Sequence, residues 1–184
     1  MRIHYNKIIG YVFEHLCNTK NIKGTINECL IAGNLAKYGY EVIVNNDRNP
    51  EYDILLKRNG IEYLLECKLD NQVSRFGNFF FEYWNYTYGR KTGINNNDLN
   101  TLYSHTYYCK EDGKWYCLIA KRMTFVKTIQ KILAIEPDKI KQYNNVYYSS
   151  DGIKGDAAYI INKDTFLKYF KGYNIILIPA YRWK

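Results

Sequence analysis

The strongest constraint in this chain of 184 residues is the stretch Pro50–Lys68, in which two runs rich in Ile, Leu and Tyr flank Arg58-Asn59-Gly60. Asn-Gly between apolar runs is the signal for a tight turn joining two paired strands, so a hairpin is expected here. Along its second arm, side chains alternate with a period of two. Glu62, Leu64, Glu66 and Lys68 therefore share one face, and Ile61, Tyr63, Leu65, Cys67 and Leu69 share the other. Asp53 opens the first arm, just after a proline that cannot continue a ladder.

Folding the chain at Asn59-Gly60 returns the region of Asp53 to the neighbourhood of Glu66, where a carboxylate on one arm can meet a carboxylate and an ammonium on the other. Two readings follow. A turn aspartate with a surface Glu–Lys pair is the ordinary one. The other is a site for a hard divalent cation, because Mg²⁺ binds through one or two carboxylates, keeps several waters, and takes its remaining ligands from substrate phosphate. In that reading Asp53, Glu66 and the backbone carbonyl of Cys67 face the ion, and Lys68 orients water or stabilises phosphate charge. Leu64, Leu65, Cys67 and Leu69 make both faces of the strand look covered, and charges are seldom buried without a partner or an ion.

Pro50-Glu51-Tyr52-Asp53, followed across a hairpin by Glu66-Cys67-Lys68, resembles the signature of the PD-(D/E)XK nucleases. The compact form of that motif has its Pro and Asp adjacent, whereas here two residues separate them, a variation the family tolerates. The resemblance implies a restriction-endonuclease-like α/β core with a mixed central sheet flanked by helices. It also implies a metal-dependent DNA nuclease using Mg²⁺, with Mn²⁺ as a substitute. Asp53 and Glu66 would be metal ligands and Lys68 the catalytic lysine. Many members place an acid of the first core helix at the metal, and Glu28 holds the matching position. The order Glu28, Asp53, Glu66, Lys68 is similar to that of Holliday junction resolvases; a restriction or homing endonuclease is the next expectation. A non-catalytic nucleic-acid-binding module on the same fold and an RNA-directed nuclease stand as alternatives.

Glu28 also has a purely local reading. Thr25-Ile26-Asn27-Glu28 fits a capping box, in which the glutamate bonds back to the residue that starts the helix. On that reading the helix runs over 25–38, with Ile26, Cys29, Leu30, Ala32, Leu35 and Ala36 as its apolar side.

The net charge of +8 agrees with an anionic partner, and phosphate backbone is the commonest for a protein of this kind. Arg48, in the loop before the hairpin, and Arg90-Lys91, between glycines after an aromatic run, are the expected phosphate contacts. Downstream, Gly77-Asn78, Glu82-Tyr83 and Thr92-Gly93-Ile94 resemble part of a pattern in small phage-type members of the family, which makes Glu82 a weak candidate for the site's rim. Heavy use of Asn, Lys, Ile and Tyr suits an AT-rich coding genome such as that of a phage, a virus or a low-GC bacterium. Five cysteines with no Cys-x-x-Cys pair give neither a disulfide framework nor a zinc knuckle.

No run approaches the ~18–20 apolar residues of a membrane span, and the N-terminus does not resemble a secretory signal. We therefore expect no membrane partner and an intracellular setting. A single domain is expected over 1–184, with an N-terminal helical extension over 1–22 and a core over about 25–178. A homodimer is one expected assembly.

From the remaining pattern we expect strands at 40–45, 79–88, 106–109, 115–120, 155–161 and 175–178. Helices are expected at 95–102, 121–133 and 163–170, with a polar loop over 69–78. The helix at 121–133 carries Arg122, Lys127 and Lys131 as a second basic surface.

Overall fold

The computed structural model describes residues 20–45, 52–95, 98 and 101–178. The expected N-terminal helix, Arg48 and Pro50 lie outside the described residues. The protein has an α/β fold in which sheets are flanked by helices. In chain order the elements are α1 (Lys20–Lys37), β1 (Glu41–Val44), β2 (Ile54–Arg58), β3 (Ile61–Asp70), α2 (Gln72–Phe76), β4 (Asn78–Asn85), β5 (Arg90–Lys91), β6 (Leu102–Cys109), β7 (Lys114–Lys121), α3 (Arg122–Ile135), β8 (Ile140–Ser149), β9 (Gly152–Asn162), α4 (Lys163–Tyr169) and β10 (Tyr173–Ile178). The described residues fall into two compact units: those within 20–69, 104–119 and 174–178 form one, and those within 70–103 and 120–173 the other.

The first unit holds α1 and a six-stranded sheet in the order β1-β2-β3-β6-β7-β10. The hairpin forms as expected. Asn59 and Gly60 both take the left-handed conformation, with φ of 53° and 75°, which a two-residue hairpin turn of the primed type requires. The arms pair antiparallel with Ile54 opposite Leu65 and Leu56 opposite Tyr63, and β1 adds on the other side of β2 with Val44 opposite Ile54. Ile31 and Leu35 of α1 are buried with Ile54, Leu56, Leu65, Cys67, Cys117 and Leu118. The Asn34 side chain donates to the carbonyl of Leu177 on β10 at 3.4 Å, tying the helix to the sheet.

The second unit is a four-stranded sheet in the order β5-β4-β9-β8 with α2, α3 and α4. Its core is aromatic. Phe81 lies 4.6 Å from Phe166 and 6.0 Å from Phe125, and Phe79 lies 5.3 Å from Phe166, ring centre to ring centre. Such offset and edge-on pairs add to the burial of large side chains. One end of α3 is fixed by Arg122, only 1% exposed, whose Nη1 donates to the Asp98 carbonyl and whose guanidinium sits 5.9 Å from the Tyr103 ring.

Several expectations are corrected. Helix α1 is already under way at Lys20, five residues before the expected start at Thr25, so Thr25 is interior to the helix and Thr25–Glu28 is no capping box. The span 69–78 is not a loop: β3 continues to Asp70, and α2 closes on Gly77. Most of the expected helix at 95–102 lies outside the described residues; at its ends, Asn95 closes a short 3₁₀ turn at Gly93–Asn95 and Leu102 belongs to β6. Arg122 is an interior anchor and not part of a basic surface, while Lys127 and Lys131 do remain exposed. Strand β8 had no signal in the sequence. Its side chains are exposed along almost its whole length, which removes the alternation that normally betrays a strand.

Candidate functional site

The described candidates divide cleanly. Glu28, Asp53, Glu66, Cys67 and Lys68 belong to the first unit, whereas Glu82, Arg90 and Lys91 belong to the second.

Asp53 stands just ahead of β2 and is held by its backbone on both sides. Its N–H donates to the Leu65 carbonyl at 3.0 Å, and its own carbonyl accepts from the Asn45 N–H at 2.8 Å. The Asn45 amide also donates to the Tyr52 carbonyl at 3.1 Å. The chain entering β2 is therefore clamped at the end of β1, and Asn45 is a positioning residue that sequence reasoning missed. Its signal was an asparagine just past a strand end, a residue type that bonds nearby backbone and fixes turns. With the backbone so placed, the Asp53 Oδ2 accepts the Cys67 N–H at 2.6 Å. The carboxylate of the first arm thus rests on the second arm between Glu66 and Lys68.

On β3 the period of two puts Glu66 and Lys68 side by side, as expected, and their side chains pair at 3.1 Å. The Glu66 side chain is only 13% exposed and that of Lys68 39%. Below them, the hydroxyl of Ser104 on β6 donates to the Glu66 carbonyl at 3.3 Å. Cys67 points to the opposite, buried face. Burial pushes its thiol well above the ordinary range, with a partly opposing hydrogen bond from Ser104, so it packs as a neutral side chain and contributes backbone to the site.

Glu28 is brought to the same place by α1. Burial raises its carboxyl above the ordinary value, the Asp53 carboxylate raises it further, and the Lys68 ammonium partly offsets both. Asp53 is raised as well. Burial is the largest cause, the Cys67 N–H and Lys68 act against it, and Glu66 adds to it. Asp53 therefore feels the Glu66 carboxylate and Glu28 feels that of Asp53, in a half-buried place that the Lys68 ammonium also faces. Such an arrangement disfavours ionisation unless positive charge is added.

Among the described residues, no three His, Cys, Asp or Glu side chains converge tightly enough to cage an ion by themselves. A full cage is the habit of Ca²⁺ and Zn²⁺ sites, while Mg²⁺ makes do with one or two carboxylates, waters and phosphate. The part-buried hard oxygens here, with the Glu28 and Asp53 carboxyls raised, are donors of the type that second kind of ion takes.

In the second unit, Arg90 and Lys91 form the exposed two-residue strand β5, with Arg90 opposite Asn85 and its guanidinium 5.3 Å from the Tyr88 ring. Glu82 lies on β4 opposite Ala158, at a register shift in the β4–β9 pairing.

No family model and no curated protein matches this chain. Among solved structures, it is similar to a bacterial homing endonuclease, with 18% identity, 60% of this chain and 74% of that chain covered, and a TM-score of 0.44.

Proposed function

We propose that this protein is a metal-dependent nuclease of the PD-(D/E)XK type that hydrolyses DNA phosphodiester bonds as an endonuclease. The observation that carries the reading is the meeting of Glu28, Asp53 and Glu66 with Lys68, from one helix and both arms of one hairpin, with both the Glu28 and Asp53 carboxyls raised by burial, Glu28 further by Asp53 and Asp53 further by Glu66. A protein that only bound DNA would gain nothing from clustered acids, which repel phosphate.

Asp53 and Glu66 would hold a Mg²⁺ ion, with the Cys67 carbonyl and Glu28 as further oxygens, and Mn²⁺ could replace it. When bound, the ion supplies charge neutralisation at the phosphate and a more acidic water. The chain's own groups then divide the remaining work. Lys68, 39% exposed and paired to Glu66, presents an ammonium at the solvent edge of the cluster. There it can orient the attacking water or bind a non-bridging phosphate oxygen as charge develops. The Cys67 N–H fixes the Asp53 carboxylate, so its lone pairs point to one place before substrate arrives. In the second unit, exposed Arg90 and Lys91 add positive charge suited to phosphate. A junction-resolving or a restriction or homing role is the finer proposal.

The test is cleavage of labelled linear duplex, single-stranded and four-way-junction DNA, and of RNA, with Mg²⁺, Mn²⁺, Ca²⁺ or EDTA. The expected result is cutting of DNA with Mg²⁺ or Mn²⁺ that EDTA abolishes and that Asp53→Ala and Lys68→Ala remove. Metal-independent cutting, or full activity in both variants, would reject these roles.

A further inference from the structure

Strand β8 is the outermost strand of the second unit's sheet, ten residues long, with no proline and a single charge, Lys141. Natural edge strands are usually short, charged or covered, because an open edge is a template for another chain. This one is none of these. Tyr148 is 82% exposed and Tyr147 51%, with Tyr143, Val146 and, across the hairpin on β9, Ile153 also exposed. β9 pairs with β4 only over Asp156–Asn162. The far end of the β8–β9 hairpin is thus two strands alone, a form that is marginal in water without further packing.

The direction of the backbone groups on the outer edge can be read from Gly155. Its carbonyl accepts from the Tyr86 N–H at 2.8 Å and its N–H donates to the Thr87 hydroxyl at 3.4 Å, both on the β4 side. Val146 lies directly opposite Gly155. In an antiparallel pair, opposed residues direct their N–H and C=O groups either at each other or both away. Val146 therefore turns its groups to the outer edge, and by alternation so do Gln142, Asn144 and Tyr148.

We infer that β8 pairs antiparallel with β8 of a second copy of this chain about a two-fold axis at Asn145. Charge selects the occupant. The chain carries +8, yet between Ile140 and Asp156 Lys141 and Lys154 are balanced by Asp151 and Asp156, and Lys154 is paired with Asp151 at 3.1 Å. A nucleic-acid surface would concentrate cations here; a neutral strip is where two basic chains meet without repulsion. Self-pairing requires opposed residues of the same parity, which any two-fold placed on a residue satisfies, and the one at Asn145 is chosen because it lies at the middle of β8. A two-fold at Asn145 opposes Tyr143 to Tyr147, Asn144 to Val146, Gln142 to Tyr148 and Lys141 to Ser149, so no lysine faces a lysine. Exposed Tyr143, Val146, Tyr147 and Tyr148 beside the edge extend the contact beyond the backbone ladder. The arrangement is isologous and closes at two copies.

This inference is independent of the nuclease reading. Its test is sedimentation equilibrium of the full chain at tens of micromolar, on the wild type and on Val146→Pro, with circular dichroism to confirm folding. The proline removes an N–H directed at the outer edge and leaves the bonds to β9 intact. The wild type is expected as a dimer, and the variant is expected to weaken association by at least about tenfold. As a second arm, Asn145→Cys meets its own mate across the axis at a Cα spacing of about 4.5 Å, within disulfide reach. It is expected to cross-link under mild oxidation above the wild-type background, whereas Ser149→Cys, opposed to Lys141, is not. A monomeric wild type, a dimer that survives folded Val146→Pro, or Asn145→Cys cross-linking no better than Ser149→Cys would each overturn the proposal. A monomer whose duplex-DNA binding is weakened by Val146→Pro would assign the strand to nucleic acid instead. Asp53→Ala is expected to leave the dimer unchanged, so failure here and failure of the nuclease reading are separable.

Discussion

Asp53, ahead of the first hairpin arm in the first unit, and Asp70, in the second unit, are treated in opposite ways by their surroundings. Asp70 is 6% exposed and accepts two backbone N–H groups, from Gln72 at 2.7 Å and Phe80 at 2.8 Å. It ties α2 to β4, and each carboxylate oxygen has a donor. Asp53 accepts one N–H, that of Cys67, and otherwise faces Glu28 and Glu66 as well as Lys68. A buried carboxylate that is satisfied by backbone stabilises a fold. One that is left among its own kind costs stability, and that cost is expected where chemistry is done.

The comparison is sharpened first by activity. Lys68→Ala is expected to lower kcat for DNA cleavage by roughly 10²–10³-fold, as for loss of one charge-stabilising donor, with an unchanged circular dichroism spectrum. Asp70→Ala should do the reverse. Losing two hydrogen bonds to a charged acceptor should cost about 2–4 kcal/mol in urea unfolding, while cleavage per folded molecule stays near wild type. If Asp70→Ala abolished cleavage without loss of stability, the division between the two aspartates would break.

Smaller effects separate the site from ordinary packing. Glu28→Gln removes a like charge from beside Asp53, so the metal-free protein should hold its stability or gain slightly, while metal-supported cleavage falls. A capping glutamate would instead lose stability, by about 0.5–2 kcal/mol. The pH dependence gives the sign independently. Because Glu28 and Asp53 carry raised values in the fold, the native state keeps their protons longer than the unfolded chain does. Their contribution is fully present below the unfolded value of about 4 and is lost as pH rises through the raised folded values. The difference in urea stability between wild type and Asp53→Asn should therefore move against the wild type as pH rises through that window. Added Mg²⁺ should remove the trend.

Much of the site could be read from the residues. Asn59-Gly60 dictates the turn, the turn sets the register, and the period of two puts Glu66 beside Lys68; all of these are local rules. The remainder needed tertiary information. Glu28 fitted a capping box as well as a ligand, and only the earlier start of α1 removes the first reading. Asp70 looked like a loop residue because its donors, Gln72 and Phe80, become available only once α2 and β4 have formed. Asn45 acts on backbone carbonyls, those of Tyr52 and Asp53, and such partners leave no trace in the sequence beyond the residue type of the donor. Strand β8 escaped notice because both its faces are exposed, and a strand with no buried face has no alternation to detect.

The most direct measurement is calorimetric titration of Mn²⁺ into the metal-free protein and into Asp53→Asn, with circular dichroism confirming that both are folded. The account predicts binding to the wild type that the single substitution removes or weakens by about 10-fold or more, as for loss of one ligand. Equal binding by the two proteins, or none by the wild type even with non-cleavable DNA present, would contradict it.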